Sequence, residues 1–295
     1  MHTSLKSKNI KKPSWLKVKF PTDPNYFNVS SLLKKKNLHT ICESARCPNI
    51  GECWSQKTAT FLILGDTCTR NCAFCSVKKG IPLPLDPDEP YRVAEAASLM
   101  GLRYVVITSV TRDDLSDGGA SHFYETINAI RKKILRARVE VLIPDFKGKK
   151  ECLMTVINTK PEVLNHNLEV PETLYSMINR PKENYRRSLK ILKKAKEMGS
   201  VTKSGLMIGL GERKEDILQT FSDLRNIHCD LLTIGQYLQP TRHHARVRKY
   251  YSPVEFEQLR LIALDFGFEK VESGPLVRSS FRANMMYDSY IQNKT

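Results

Sequence analysis

Three cysteines, Cys68, Cys72 and Cys75, follow one another with the spacing C-x3-C-x2-C in the stretch GDTCTRNCAFC and are called the loop set below. Three thiolates this close on one loop can each bind one iron of a cubane 4Fe–4S cluster, because Cys is the usual ligand of such clusters. No fourth cysteine follows nearby, so one iron would stay open. An open coordination position is typical of catalytic metal sites rather than structural ones.

Phe74 precedes the last of these cysteines, and with it the spacing resembles the signature of the radical S-adenosylmethionine (SAM) enzymes. The resemblance implies that the open iron chelates the amino and carboxylate groups of SAM. It also implies that the reduced cluster cleaves SAM to a 5′-deoxyadenosyl radical. Zinc is an alternative, but its usual pattern pairs C-x2-C with a second C-x2-C or with histidines. Disulfides are a weaker alternative, since nothing in the sequence indicates secretion.

A second group, Cys42, Cys47 and Cys53, lies just upstream with the spacing C-x4-C-x5-C and is called the upstream set below. It again offers three thiolates for four irons, so a second cluster would need a ligand from elsewhere. The two sets in this order closely resemble the lipoyl synthase family. The resemblance extends from Lys11 to about Ala283 through the motifs KKPSWLKVKFP, ARCPNIGECW, GDTCTRNCAFC, SVTRDDLSDGG, NHNLE, GLMIGLGE, GQYLQPTRHH and GPLVRSSF.

The resemblance implies a sulfurtransferase that inserts two sulfur atoms, at C6 and C8 of a protein-bound octanoyl-lysine, to form the lipoyl cofactor. Its cofactors would be two 4Fe–4S clusters and SAM. The loop set would hold the radical-generating cluster, and the upstream set would hold an auxiliary cluster consumed as sulfur donor. Ser280, the second serine of RSSF, would be the fourth ligand of that auxiliary cluster. Phe281 stands where the family usually has Tyr.

Polar residues and glycines follow several predicted strands, at the edge where parallel α/β folds place their sites. The stretch GLMIGLGE resembles the family's G-x-I-x-G-x-x-E pattern near the adenine of SAM, although such a motif alone is as often a tight turn. The stretch TRDD follows the second strand, where the family binds the methionyl end, but the usual Gly-Gly-Glu is absent. The residues predicted to bind SAM are Thr111, Arg112, Asp113, Asn165, Asn167, Arg180, Met207, Gly209 and Glu212.

Several of these residue types have ordinary structural roles as well. Asn165 and Asn167 could cap a loop as readily as bind ribose, whereas the fork of Arg180 suits a carboxylate. His243 and His244 could line the mouth of the site, but they are rather expected to be surface residues of a basic loop. Cys152 and Cys229 stand alone in the sequence and are expected to pack as small apolar side chains.

Strand-like and helix-like segments alternate along most of the chain, which implies a parallel sheet with helices outside. Strands are predicted at 59–64, 103–110, 139–144, 162–167, 204–209 and 231–237. Helices are predicted at 92–100, 120–135, 149–158, 185–198, 214–227 and 253–266. About six such units fit an α/β fold of the incomplete (β/α)6 TIM-like barrel type, the architecture of the superfamily that the chain resembles.

Two extensions flank this predicted barrel. Residues 1–58 form a cysteine-rich N-terminal extension, residues 59–272 the radical SAM partial barrel, and residues 273–295 a short C-terminal extension carrying the serine ligand. Pro13, Pro21 and Pro24 are expected to break any long helix near the start. A short basic helix is predicted at 30–38, leading to the upstream set.

The net charge is +16, from 47 Lys and Arg against 31 Asp and Glu. A solvated basic surface explains this charge without any function. It is also consistent with an acidic protein partner, whereas no RNA-binding module or basic–aromatic alternation supports nucleic acid. The implied partners are octanoylated lipoyl carrier domains of 2-oxoacid dehydrogenases or the glycine cleavage H protein, a low-potential electron donor such as ferredoxin or flavodoxin, and an iron–sulfur carrier.

No apolar run approaches the roughly 18 residues of a membrane span. The first 40 residues lack the apolar core of a secretory signal, and their cations are all Lys rather than the Arg of a transit peptide. A cytoplasmic location, with neither membrane nor nucleic acid as partner, is therefore expected.

Two other functions remain open from the sequence. One is another radical SAM sulfur-insertion enzyme of the tRNA methylthiotransferase type, which would need widely spaced N-terminal cysteines and an added RNA-binding domain. The other is a zinc-stabilised basic nucleic-acid-binding protein.

Overall fold

The computed structural model describes residues 11–18 and 20–294, so residues 1–10 of the predicted N-terminal extension, Lys19 of KKPSWLKVKFP and Thr295 lie outside the described residues. The ten α-helices of the described part are α1 (Pro24–Lys35), α2 (Ile41–Ser44), α3 (Ile50–Ser55), α4 (Glu89–Leu99), α5 (Ala120–Lys133), α6 (Lys150–Ile157), α7 (Glu183–Glu197), α8 (Lys214–Asn226), α9 (Pro253–Asp265) and α10 (Ala283–Gln292). Short 3-10 turns occur at Ser14–Leu16, Phe146–Gly148, Glu172–Leu174 and Ser176–Ile178.

The strands are β1 (His39–Thr40), β2 (Thr60–Ile63), β3 (Thr67–Cys68), β4 (Lys78–Lys79), β5 (Tyr104–Ser109), β6 (Arg138–Leu142), β7 (Val163–Asn165), β8 (Thr202–Ile208), β9 (Leu231–Gln236) and β10 (Lys270–Gly274). Eight of them form one sheet in the order β1-β2-β5-β6-β7-β8-β9-β10, and β3 pairs with β4 separately. From β2 to β10 all neighbours are parallel. Only β1 is antiparallel, to β2.

The sheet does not close between its first and last strands among the described residues, so the predicted incomplete barrel is confirmed. All six predicted strands are present, with a helix after each. The estimate of six parallel strands is one short, because β10 adds a seventh. Its sequence, KVESG, has only one aliphatic side chain, so it lacks the apolar run by which buried parallel strands are recognised.

Alternate residues of the parallel strands face the barrel interior, because side chains alternate across a strand. Val106 and Thr108 of β5, Gly205 and Met207 of β8, and Thr233 and Gly235 of β9 all line one cavity. The cavity therefore lies inside the barrel.

Helix boundaries follow local capping chemistry. Pro24, predicted to break any long helix, begins α1, where the missing N–H of proline would have no partner within the helix in any case. Asp23 caps this helix by accepting from the backbone N–H of Asn25 at 2.7 Å. The helix predicted at 30–38 therefore begins earlier. The predicted Ser252 cap of α9 is confirmed, with Glu255 completing a reciprocal pair.

The helix α10, which the sequence did not reveal, packs against strand residues of the barrel. Its buried Met286 and Tyr290 contact Val163 and Leu231, the first residues of β7 and β9. Tyr287 packs against Tyr104, the first residue of β5, with ring centroids 5.9 Å apart. The helix therefore covers the barrel at the amino ends of its strands, opposite the edge where the polar loops lie.

None of the helices in the described residues has the length and apolar content needed to cross a bilayer.

Candidate functional site

A cavity of about 590 Å³ occupies the barrel interior and reaches its opening. Its wall includes cysteines of both sets, strand residues and the C-terminal stretch after β10. The side chains there that could bind metal or SAM include Cys42, Cys47, Cys53, Cys68, Cys72, Cys75, Asn165, Asn167, Arg180, Ser279 and Ser280. Residues far apart in the sequence thus meet at one site.

Short helices bring the upstream set together. Thr40 caps α2, accepting from the Glu43 N–H, and Cys42 lies in that helix. The N–H of Cys47 donates to the carbonyl of Cys42 at 2.9 Å. Burial, and then the charges of Cys42 and Cys47, raise the pKa of Cys53 to about 12, so the three thiols lie within electrostatic range of one another.

The loop set begins at the last residue of β3 and continues in the loop before β4. The N–H of Cys75 donates to the Cys72 carbonyl at 3.2 Å, and the N–H of Gly80 donates to the Cys68 carbonyl at 3.1 Å. Burial, together with the charges of Cys72 and Cys68, raises the pKa of Cys75 to about 11. These three thiols are therefore also close to one another.

The donor set fits iron–sulfur clusters. All eight cysteines are free thiols. Within residues 11–18 and 20–294, no three His, Cys, Asp or Glu side chains are arranged to hold a single metal ion. A cubane does not need such convergence, because each thiolate binds a different iron and the ligands lie around the cluster.

Ser280 lies beside the upstream set. The Thr60 hydroxyl donates to the Ser280 hydroxyl at 2.9 Å, and the backbone of Thr60 lies close to the Cys42 thiol. Thr60 thus bridges a cysteine of the upstream set and the predicted serine ligand. The chain reaches this point past β9, where Gly235 is required because a Cβ there would lie 2.2 Å from the Val277 carbonyl oxygen.

Arg180 and Phe74 flank the loop set. The Arg180 Nε donates to the Cys72 thiol at 3.3 Å, and its guanidinium lies 5.5 Å from the Phe74 ring centroid. Glu169 lies 4.0 Å from the same guanidinium. Burial raises the pKa of the Glu169 carboxyl, and Arg180 opposes that rise.

Five predicted SAM ligands line the cavity: Thr111, Asn165, Asn167, Arg180 and Met207. Both amide atoms of Asn165 and the Asn167 Oδ1 are buried without a hydrogen-bond partner. The Ser109 hydroxyl, which sequence reasoning missed, is in the same state and also lines the cavity. Because buried polar groups are normally paired, these atoms indicate a polar ligand.

The other four predicted SAM ligands do not line the cavity. Arg112 is 3% exposed and bonds the Asp114 carboxylate at 2.8 Å, while Asp113 pairs with Arg70. The Glu212 carboxylate accepts from the N–H of Gly209 at 2.6 Å and closes the turn after β8. These residues shape the loops around the cavity.

Arg70, inside the cysteine loop, was not singled out by its sequence context. Its Nε donates to Asp113 at 2.7 Å, and its Nη2 bonds Asp145, which Arg187 also contacts at 3.2 Å. Burial raises the pKa of Asp145, but the hydrogen bond and charge of Arg70 outweigh it and hold that pKa well below its usual range. Arg70 thus ties the cysteine loop to the chain after β5 and β6.

His244 is half-buried in the basic loop and also contacts the cysteine loop, a contact that the sequence did not predict. Its Nε2 lies 3.1 Å from the Cys75 carbonyl, and its Nδ1 lies 2.8 Å from the Thr241 hydroxyl. His243 is exposed, as expected. Cys152 and Cys229 are buried, as predicted.

Two solved structures share the fold of this chain. The FeFe-hydrogenase maturase HydG from Carboxydothermus hydrogenoformans matches with a TM-score of 0.56 and 15% identity, over 91% of this chain and 78% of that one. Methylornithine synthase (PylB) matches with a TM-score of 0.54 and 13% identity, over 85% and 82%. At these identities the likeness shows the fold alone.

Two family profiles match the chain. The Radical SAM superfamily profile covers residues 62–224, more than half of the chain. With the barrel and the loop set, this match places the chain in the radical SAM superfamily. The profile for the N-terminal domain of lipoyl synthase covers residues 2–47.

Curated relatives identify the family within that class. The lipoyl synthase of Rubrobacter xylanophilus is 53% identical over 275 residues, 92% of this chain and 85% of the relative. That of Caldanaerobacter subterraneus subsp. tengcongensis is 52% identical over 278 residues, 94% and 97%. The chain belongs to the lipoyl synthase family.

Proposed function

We propose that the chain carries out the sulfurtransferase reaction of its family, inserting sulfur at C6 and C8 of an octanoyl chain attached to a lysine of a carrier protein. Membership of the superfamily implies an iron–sulfur cluster and SAM. The proposal adds a second cluster and assigns residues to each. The observation that carries it is the meeting of both cysteine sets and Ser280 at one cavity.

In this proposal the loop set holds the cluster that binds SAM, and the upstream set with Ser280 holds the auxiliary cluster. When bound, these groups supply a 5′-deoxyadenosyl radical and the sulfur atoms to be inserted. Removing a hydrogen atom rather than a proton needs no general base. The protein side chains are therefore assigned to binding, orienting and excluding water.

Arg180 has two tasks in the proposal. Its guanidinium stabilises the Cys72 thiolate, to which it already donates at 3.3 Å, and it is the proposed partner of the SAM carboxylate. Thr111, Asn165, Asn167 and Met207 are the other proposed SAM contacts. Support comes from their place on the cavity wall and from the unpartnered amide atoms of both asparagines.

The remaining proposed SAM residues, Arg112, Asp113, Gly209 and Glu212, act by fixing the loops on which direct contacts stand. The proposed division of the chain at 1–58, 59–272 and 273–295 gives the two end segments one shared task. They supply the auxiliary ligands, while the barrel supplies the loop set.

The proposed partners are octanoylated carrier domains of 2-oxoacid dehydrogenases or of the glycine cleavage H protein, a low-potential electron donor and an iron–sulfur carrier. A cytoplasmic setting suits these partners and the eight free thiols. The alternatives of a tRNA methylthiotransferase or a zinc protein are not favoured, because the relatives at about half identity over most of the chain are lipoyl synthases.

The test separates the two cysteine sets. Protein purified without oxygen should be brown and contain about eight irons per chain, as two cubanes require. Cys72→Ala should abolish formation of 5′-deoxyadenosine. Cys47→Ala should retain part of that formation but convert no octanoyl-lysine peptide to its dithiolane product, measured by mass spectrometry.

Two results would contradict the proposal. A colourless protein containing zinc would exclude both clusters. If both cysteine variants lose only sulfur insertion and keep SAM cleavage, the assignment of roles to the two sets is wrong.

A further inference from the structure

Two stretches near the cavity opening carry cations and no Asp or Glu: residues 11–18 and residues 239–250. Together with Arg46 they are called the basic rim. Its cations are all exposed: Lys11, Lys12, Lys17, Arg46, Arg242, Arg246, Arg248 and Lys249. A cluster of one sign beside a cleft raises the local potential and attracts partners of the opposite sign.

The parts of the basic rim form one surface. The Trp15 Nε1 donates to the Tyr251 carbonyl at 3.2 Å, which joins the first stretch to the end of the second. Arg46, next to Cys47, donates to the Pro240 carbonyl at 3.3 Å. Lys12, Arg46 and Pro240 all line the cavity wall, so the rim borders the opening itself.

Most of this charge is not neutralised within the protein. Lys249 is paired with Glu255 at 2.7 Å. In the part of the chain that the structure describes, no carboxylate lies within 4.0 Å of the cationic groups of Lys11, Lys12, Lys17, Arg242 or Arg248. The positive potential is therefore available to a partner.

The rim is not purely ionic. Trp15 is 41% exposed and Val18 48% exposed within the same surface. Tryptophan and arginine are the side chains that most often contribute binding energy at protein interfaces. This mixture favours a folded protein with an acidic face over a polyanion held by phosphate contacts alone.

The second stretch is bonded directly to the cysteine loop. The N–H of Ala245 donates to the Ala73 carbonyl at 2.9 Å, and His244 contacts the Cys75 carbonyl. The Tyr237 hydroxyl, at the end of β9, donates to the Ala245 carbonyl at 2.7 Å. A protein resting on the rim would therefore lie beside the loop set.

We propose that the basic rim docks an acidic face of the protein domain that carries the acyl-lysine, an inference that rests on the proposed function. A cavity of about 590 Å³ cannot admit a folded domain. Only the acyl-lysine arm can enter, so the body of the carrier must rest on the surface around the opening. The basic rim borders that opening, because Lys12 and Arg46 line the cavity wall.

The test reverses two exposed rim charges that do not line the cavity, in the variant Lys17→Glu/Arg242→Glu. The control is Lys190→Glu/Lys193→Glu, which makes the same change of net charge on the exposed face of α7. Sulfur insertion is measured for an octanoylated lipoyl domain of net negative charge and for an uncharged octanoyl-lysine peptide. We expect the rim variant to raise the KM for the domain roughly tenfold at low salt, with kcat unchanged. The peptide and the control should show no such change.

An equal rise in KM for the peptide, or an equal effect of the control pair, would overturn the inference. The inference would also be overturned if the rim variant lost binding of single-stranded RNA but kept the wild-type KM for the domain. Anaerobic calorimetry of the domain with the cluster-loaded protein provides a test independent of turnover. If wild type binds the domain in a salt-sensitive way, the rim variant does not bind it, and wild type forms no product, the docking surface is supported and the proposed function is rejected.

Discussion

The proposed auxiliary site depends on Ser280 for its fourth ligand. The sequence around Ser280 alone gives no sign of this role. The Ser280 hydroxyl is held by Thr60, which also contacts Cys42. A serine alkoxide is a harder ligand than a thiolate and is protonated more easily, so its iron should be the one released most readily. A cluster that surrenders sulfur benefits from one such weak ligand.

We therefore expect Ser280→Ala to lose auxiliary iron during anaerobic purification, whereas Ser279→Ala should keep it. Ser280→Cys should retain both clusters and cleave SAM, but insert sulfur about tenfold more slowly or stop after one atom. Iron analysis and mass spectrometry of the product measure these effects. Normal dithiolane formation by Ser280→Cys would show that a weak ligand is not required.

Arg70 is also proposed to be important for the site because of the residues that it contacts rather than because of a sequence motif. It neutralises Asp113 and Asp145, and the side chain of Asp145 is only 4% exposed. Removing the cation would leave these carboxylates partly unpaired and free the cysteine loop. Lysine cannot reproduce the two-sided contact because it lacks the planar fork.

We expect Arg70→Ala to lose iron from the loop set, and Arg70→Lys to recover only part of it. Arg187→Ala, which removes the other cation at Asp145 without touching the cysteine loop, is the matched control and should keep its iron. Electron paramagnetic resonance of the reduced protein with SAM reports the loop-set cluster. Equal iron and equal spectra in all three variants would exclude Arg70 as a positioning residue.

At the scale of elements, the sequence predicts those helices and strands whose apolar pattern and capping residues match their burial in the structure. The strand β5 begins with four buried apolar residues, and α9 begins with a serine cap and proline. The strand β10 and the helix α10 lack such signals: α10 begins after Arg282 in the left-handed conformation, without a side-chain cap. Tertiary packing, rather than local sequence, determines these two elements.

The residues of the candidate site likewise fall into those that the sequence predicted and those that it did not. Cysteine spacing predicted both sets, because the ligands of one cluster must lie close in space and cysteines on one loop are also close in sequence. The salt bridges of Arg70 and the contact of His244 with Cys75 join residues distant in sequence. Only the folded arrangement of the strand ends brings those groups together.

Helix α10 gives a prediction at this scale, because it begins three residues after Ser280 and anchors that segment to the barrel. Met286 is buried against Val163 and Leu231. Met286→Ala should cost about 2–5 kcal/mol of packing and loosen the helix. We expect loss of auxiliary iron with SAM cleavage retained. Met285→Ala, at a position 58% exposed in the same helix, should change neither; equal iron loss in both variants would contradict the anchoring role.

At the scale of the whole molecule, the barrel has an open, polar end and a closed end. The polar end carries the cysteine loops and the basic rim, and α10 covers the other end. Tyr104, Glu140 and Lys203 lie two residues before cavity-lining residues of their strands, so they face the same interior one layer further from the opening. The cavity floor is therefore a charged layer rather than an apolar one.

This buried layer links three strands through one carboxylate. Lys203 Nζ lies 2.8 Å from Glu140, with side chains 0% and 1% exposed, and the Tyr104 hydroxyl donates to the same carboxylate at 2.8 Å. Burial, and then the charge of Glu140, raise the pKa of Tyr104 well above its ordinary value. The tyrosine is therefore a neutral donor, and Lys203 is the cation that balances Glu140.

Breaking this pair should destabilise the whole barrel, because a buried charge would be left without its counter-ion. We expect Lys203→Met to lower the free energy of unfolding by about 3–5 kcal/mol and the apparent Tm by about 6–15 °C. The double variant Lys203→Met/Glu140→Leu removes both charges and should recover most of the loss. Anaerobic thermal melts of the cluster-loaded proteins measure both shifts. A double variant as unstable as Lys203→Met would show that shape, rather than the unpaired carboxylate, sets the cost.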